Sequence, residues 1–220
     1  MQGLTDTAAP LLRGLAVTLE LTAAAGVLSV LIALAAGLAR ASHRRWLRWP
    51  AAIYVETFRG TSALVQLFWF YFVLPFFGVA LTPFAAGVLV LALNTGAYGS
   101  EVVRGALAAV PRGQREAAAA LNLGGTRTLW RILLPQALPA MLPPAGNLAI
   151  ELLKNTALVS LITITELTFT AQLLRAERLH SAEIFTMVLA LYFAVALCIT
   201  AGMRALERRA SRGLERGAAR

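Results

Sequence analysis

Long apolar stretches, cut by short clusters of arginine, set the pattern of this chain. Residues 21–39 hold no charge and are bracketed by Glu20 and Arg40. At about 1.5 Å per residue, such a stretch matches the roughly 30 Å of a bilayer's hydrocarbon. This first helix is expected to begin earlier, near Leu11. Residues 60–100 again carry no charge, too long a run for one crossing. Pro75, Gly78 and Pro83 divide it, predicting helix two over 52–74 and helix three over 83–103, joined by a short turn. A fourth span is irregular: Pro135, Pro139, Pro143 and Pro144 punctuate its start, and Glu151 and Lys154 lie inside it. The fifth, 184–203, is uncharged between Glu183 and Arg204. The pattern predicts an all-α membrane protein of five helices.

Arginine placement orients these helices. Arg40, Arg44, Arg45 and Arg48 follow helix one. Arg104, Arg112, Arg115, Arg127 and Arg131 lie between helices three and four, and Arg204, Arg208, Arg209, Arg212, Arg216 and Arg220 end the chain. With five crossings, these 15 of the 20 basic residues share one side. The positive-inside rule makes that side cytoplasmic, with the N-terminus outside. No basic cluster precedes the first apolar run, so that run is expected to act as its own insertion signal.

Composition narrows the classes. Of 220 residues, 58% are hydrophobic and only 14% charged, against roughly 25% in soluble domains. The net charge of +9 does not point to nucleic acid, because the basic residues flank apolar runs instead of sharing one polar face. The single cysteine, Cys198, excludes a disulfide within the chain. His43 and His180 stand apart in flanking loops, so no metal site is expected.

The connection between helices three and four is polar and rich in alanine. Residues 114–123 favour helix, with Pro111 before them and Gly124-Gly125 expected to end them. Small alanine side chains let another surface approach the backbone. Glu116 is expected in the first turn, where a negative charge suits the helix dipole.

At these residues the chain resembles the inner-membrane permease subunits of ABC importers. Their cytoplasmic loop carries Glu-Ala-Ala, a glycine six residues after the Glu, then Ile-x-Leu-Pro. The pattern falls on Glu116, Ala117, Ala118, Ile132, Leu134 and Pro135. Asn122 stands at the glycine position, and asparagine also tolerates a left-handed backbone. YVETFRGTSALVQLFWFYFVLP, AYGSEVVRGALAAVPRGQREAA, LLPQAL and LLKNTALVSLI look like the polar amino-acid uptake branch. RGTSALVQLFW, LNTGAYGSEVVRGA and PPAGNLAIELLKNTALVSLIT are similar to ectoine and hydroxyectoine permeases.

The resemblance implies a single permease domain over 1–220, with a coupling loop at 114–135, in a bacterial inner membrane. The Glu116 helix would dock on a separate ATPase, the subunit that uses ATP and magnesium. A second permease subunit, identical or sibling, and an extracytoplasmic solute-binding protein would complete the importer. The chain has no GxxxxGK[ST] loop, so it is expected to hold no cofactor and to perform no ATP chemistry itself.

Charged groups inside spans need a reason, because each costs about 2.5–3.5 kcal/mol to insert. Glu56 with Arg59, Glu101 with Arg104, and Glu151 with Lys154 are each three apart, a spacing that permits pairing on one helix face. Lys154 is the only lysine among 19 arginines. Asn94, Tyr98, Glu101, Lys154, Asn155, Thr156, Ser160 and Glu166 are the candidate lining of a path for a small polar or zwitterionic solute, structural pairing being the competing role. Phe68, Trp69, Phe70, Tyr71, Phe72, Phe76 and Phe77 read either as an interfacial aromatic belt or as a cation–π lining. The alternative function is an ion-coupled secondary carrier. Gly26, Ala33, Gly37, Gly87, Ala92 and Gly96 are expected to permit close helix contacts.

Overall fold

The computed structural model describes the backbone of residues 2–178 and 181–218, and every regular element among them is helical. His180 and Arg220 lie outside the described residues. Helix α1 is Gln2–Ala41, α2 Arg45–Gly60 and α3 Ala63–Phe68, which continues through a π-helical turn, Trp69–Val73, and a 3-10 turn, Leu74–Phe77. Then come α4 (Pro83–Ala109), α5 (Arg112–Ala120), α6 (Gly125–Thr128), α7 (Leu134–Asn155), α8 (Leu167–Arg178) and α9 (Ser181–Ala218). Among the described residues, three stretches are long and apolar enough to cross a membrane: Thr7–Ala41, Pro83–Ala109 and Ser181–Ala210. Two further apolar units are bent, α2 with α3 by 107°, and the segment Gly125–Ile162 with α8 by 54°.

The first bend corrects the expectation of one straight helix over 52–74. Gly60 gives the weakest helical support short of proline, and Thr61 and Ser62 take extended backbone. Charge and proline alone do not reveal this break.

The prolines of the fourth span do not interrupt it. Helix α7 runs unbroken through Pro139, Pro143 and Pro144, with Pro135 in its first turn. Neighbouring helices enclose such a helix and limit the cost of the lost backbone bonds. Its break comes later, where residues 156–162 tighten into a 3-10 helix and Thr163 turns left-handed at φ 71°.

The core is built on α1 against α4. A Cβ on Gly37 would sit 2.7 Å from Val103 Cβ, one on Gly96 2.7 Å from Ile32 Cγ2, and one on Gly99 2.8 Å from Ala33 Cβ. These are closer than real Cβ atoms approach, so glycine is what lets the helices meet. Leu21, Ala25, Val90, Leu91, Leu152 and Ile162 fill the main buried cluster. A second, of Val103, Leu107, Leu133, Ala137 and Met141, lies at the C-terminal end of α4. A third joins α1, α8 and α9 through Leu11, Leu167, Leu174 and Ile184.

Candidate coupling and translocation sites

Helix α5 stands out from the body. Of its residues only Ala118 is buried, and Glu116 and Ala117 are exposed. The helix starts at Arg112, after Pro111 as N-cap. Glu116 is therefore its fifth residue and lies beyond the first turn, contrary to expectation, because Pro111 initiates the helix two residues early. Its end is formed by Asn122, not by Gly124-Gly125. Asn122 takes φ 54°, Leu123 N donates to Ala118 O at 3.0 Å, and Asn122 N donates to Ala119 O at 2.9 Å. This is the Schellman arrangement, with asparagine in the usual glycine role. Gly124 instead caps α6.

Several contacts hold α5 in place. Arg115 Nη2 donates to Leu107 O at 3.0 Å, anchoring it to α4. Gln136 Nε2 donates to Gln114 Oε1 at 3.3 Å. Ile132 and Leu134 pack on the cluster around Val103, Leu107 and Leu133, so the second half of the motif braces the first. Pro135 is exposed in the first turn of α7. Replacing Asn122 by glycine is expected to leave stability nearly unchanged. Asn122→Val, with a branched side chain at positive φ, should cost about 1–2 kcal/mol, read as a lower unfolding midpoint in detergent.

A second polar cluster holds the bend between α2 and α3. Gln66 Nε2 donates to Phe58 O at 2.8 Å and to Thr61 Oγ1 at 2.7 Å. Asn94 Nδ2 donates to Phe58 O and to Gln66 Oε1, both at 3.1 Å. Both side chains are buried, while Gly60, Thr61 and Ser62 are exposed. The guanidinium of Arg59 lies 5.3 Å from the centre of the Tyr98 ring. The expected Glu56–Arg59 pair is not formed, because Arg59 turns to α4 at the helix end. Glu56 meets Arg40 at 3.4 Å instead. Glu101 pairs with Arg104 at 2.7 Å, as its spacing implies, and also with Arg40 at 2.9 Å. Arg40 thus joins the end of α1 to the C-terminal half of α4.

Glu166 is the third centre. It is fully buried ahead of α8 and accepts from Thr168 N and Phe169 N, both at 2.8 Å. Tyr192 Oη donates to it at 3.1 Å and Thr18 Oγ1 at 3.4 Å. One carboxylate therefore caps α8 and ties it to α1 and α9.

The eight candidate path residues fall into different surroundings. Asn94 and Glu166 are spent on these internal bonds. Thr156 Oγ1 donates to Leu153 O at 2.6 Å and Ser160 Oγ to Ala157 O at 2.7 Å, returning both hydroxyls to local backbone. Glu151 and Lys154 are exposed, and no ion pair joins them. Tyr98 and Asn155 are half-buried. Sequence reasoning missed Gln66, Thr18 and Tyr192. A glutamine six residues after Gly60 in an uncharged run was the available signal for the first.

Comparison with known proteins places this geometry. The family described as "Binding-protein-dependent transport system inner membrane component" matches residues 29–212. The chain is 46% identical over 213 residues to the probable amino-acid ABC transporter permease protein y4tF of Sinorhizobium fredii, covering 94% of this chain and 90% of that protein. It is 37% identical over 200 residues to the L-cystine transport system permease protein TcyB of Bacillus subtilis, covering 90% and 86%. A crystal structure described as an amino acid ABC transporter with histidines superposes with a TM-score of 0.86 at 34% identity, over 94% of this chain and 97% of that one. The chain belongs to the family of inner membrane components of binding-protein-dependent transport systems, and it is an ABC importer permease subunit.

Proposed function

We propose that the chain moves an amino acid, or a similar zwitterion such as ectoine, across a bacterial inner membrane as one of two permease subunits. The names of y4tF and TcyB favour an amino acid over ectoine. On this reading, residues 1–220 work as one unit. The chain crosses five times, each bent pair counting once, with its N-terminus outside. Contact between Arg40 and Glu101 supports the placing of the ends of α1 and α4 on one side. A separate ATPase subunit spends ATP and magnesium, and an extracytoplasmic binding protein delivers solute.

The observation that carries the reading is α5. An exposed, alanine-faced helix, closed by a Schellman turn and tied to α4 through Arg115, is a rigid handle. Its place in the 114–135 coupling loop suits docking on a motor subunit. Within the bilayer, solute contact falls best to surfaces left accessible: the bend at 60–62 beside Tyr98, and Lys154 with Asn155 near the end of α7. Non-helical backbone at membrane depth is tolerated where it lines a cavity. Asn94, Glu101, Thr156, Ser160 and Glu166 shape that path from behind.

The test is uptake of labelled amino acids and ectoine into proteoliposomes holding the chain, its ATPase and its binding protein. Uptake is expected to require ATP and to fall on Asn155→Ala. Uptake driven by a proton or sodium gradient without nucleotide would overturn the reading in favour of a secondary carrier.

A further inference from the structure

Helix α2 has two apolar faces. Val55 is fully buried, and Tyr54 Oη donates to Leu93 O on α4 at 2.6 Å. On the other side Trp46, Trp49 and Ile53 are 66%, 66% and 59% exposed. Their spacing of three and then four residues makes one helical stripe. Arg44, Arg45 and Arg48 border it and are exposed as well. An outward apolar stripe edged with arginine fits the headgroup level of a bilayer, where tryptophan also concentrates.

Beside the stripe lies a cleft of about 560 Å³, whose walls include Arg40, Arg48, Trp49, Ile53, Glu56 and Arg104. Arg40 and Arg104 are balanced by Glu56 and Glu101. Among the described residues Arg48 has no carboxylate within ion-pair distance, and it lines the cleft together with Trp49 and Ile53. The cleft therefore offers one uncompensated cation next to apolar surface. Inorganic phosphate would use only the first of these features; a phospholipid uses both.

We propose that this cleft binds an anionic phospholipid, its phosphate at Arg48 and its acyl chains along Trp49 and Ile53. The occupant is a lipid of the adjoining leaflet, held where α1, α2 and α4 meet. The site shares no residue with the coupling loop or the proposed solute path, and it stands on the membrane character of the chain alone.

The full chain, purified in detergent, is offered dioleoyl-phosphatidylglycerol, dioleoyl-phosphatidylcholine or inorganic phosphate. Retained lipid is counted by native mass spectrometry, and thermal unfolding is followed in parallel. Phosphatidylglycerol is expected to be retained and to raise the unfolding midpoint. Arg48→Gln should weaken that retention about fivefold, the effect of one surface arginine on an anionic lipid. Arg48→Lys should keep most of it. Trp49→Ala should weaken it with the charge intact, and the distant Arg175→Gln should change nothing. Equal retention of phosphatidylcholine, equal stabilisation by inorganic phosphate, or unaltered binding in Arg48→Gln would each overturn the proposal. So would a dimer mass that Trp49→Ala converts to monomer, since a second copy would then be the occupant.

Discussion

Glu116→Lys is expected to stop ATP-driven uptake, by on the order of a hundredfold, in a permease that remains folded. Glu116 is exposed and has no ion-pair partner among the described residues. The substitution therefore removes nothing that supports the helix, and any loss must arise at the surface α5 docks on. Placing a like charge against a formed contact costs several kcal/mol, which accounts for the size of the effect. Proteoliposome uptake, co-purification of the ATPase and thermal unfolding of the permease separate the possibilities. Lost uptake and lost co-purification at an unchanged unfolding midpoint are the expected outcome. Full uptake by this variant would remove α5 as the handle.

The second large effect belongs to Glu166. Its replacement by alanine strands two half-buried backbone N–H groups and removes the carboxylate acceptor of Tyr192, while Thr18 keeps Gly14 O as acceptor at 3.1 Å. Each stranded buried donor costs about 1–3 kcal/mol, and for two half-buried ones a loss of roughly 2–3 kcal/mol is expected for Glu166→Ala. Glu166→Gln keeps one acceptor oxygen and should lose less. Unfolding followed in detergent checks both, and an unchanged midpoint for the alanine variant would show that the cap carries no stability. Because Thr18, Glu166 and Tyr192 lie on three separate segments, Tyr192→Phe should reproduce part of the loss.

How much of this was legible in the sequence depended on the kind of interaction. Apolar runs marked α1, α4 and α9 because a bilayer demands continuous hydrophobic length, and nothing in the tertiary structure overrides that demand. The turn that closes α5 was legible because its residues lie close in the chain, and Asn122 takes the left-handed conformation its position implied. The bend at Gly60 was missed because it depends on Gln66 and Asn94 reaching back to Phe58, and the Asn94 partner lies 36 residues away. In sequence the prolines punctuate the start of the fourth span, whereas α7 runs whole through Pro139, Pro143 and Pro144. In sequence Glu166 reads as a candidate path residue, but its partners on α1 and α9 are 148 and 26 residues distant. No local pattern distinguishes such a cap from a solute ligand.

The seam between α1 and α4 limits how this molecule can change shape. With Gly37, Gly96 and Gly99 at closest approach, and Arg40 latched to Glu101, the two helices leave no room for a side chain between them at these points, and on the proposed reading they would travel as a single plank. On the same reading, a stroke delivered to α5 would reach that plank through Arg115, and the give would come from the joints at Thr61 and Thr163. Stiffening either joint would jam the machine without touching its handle.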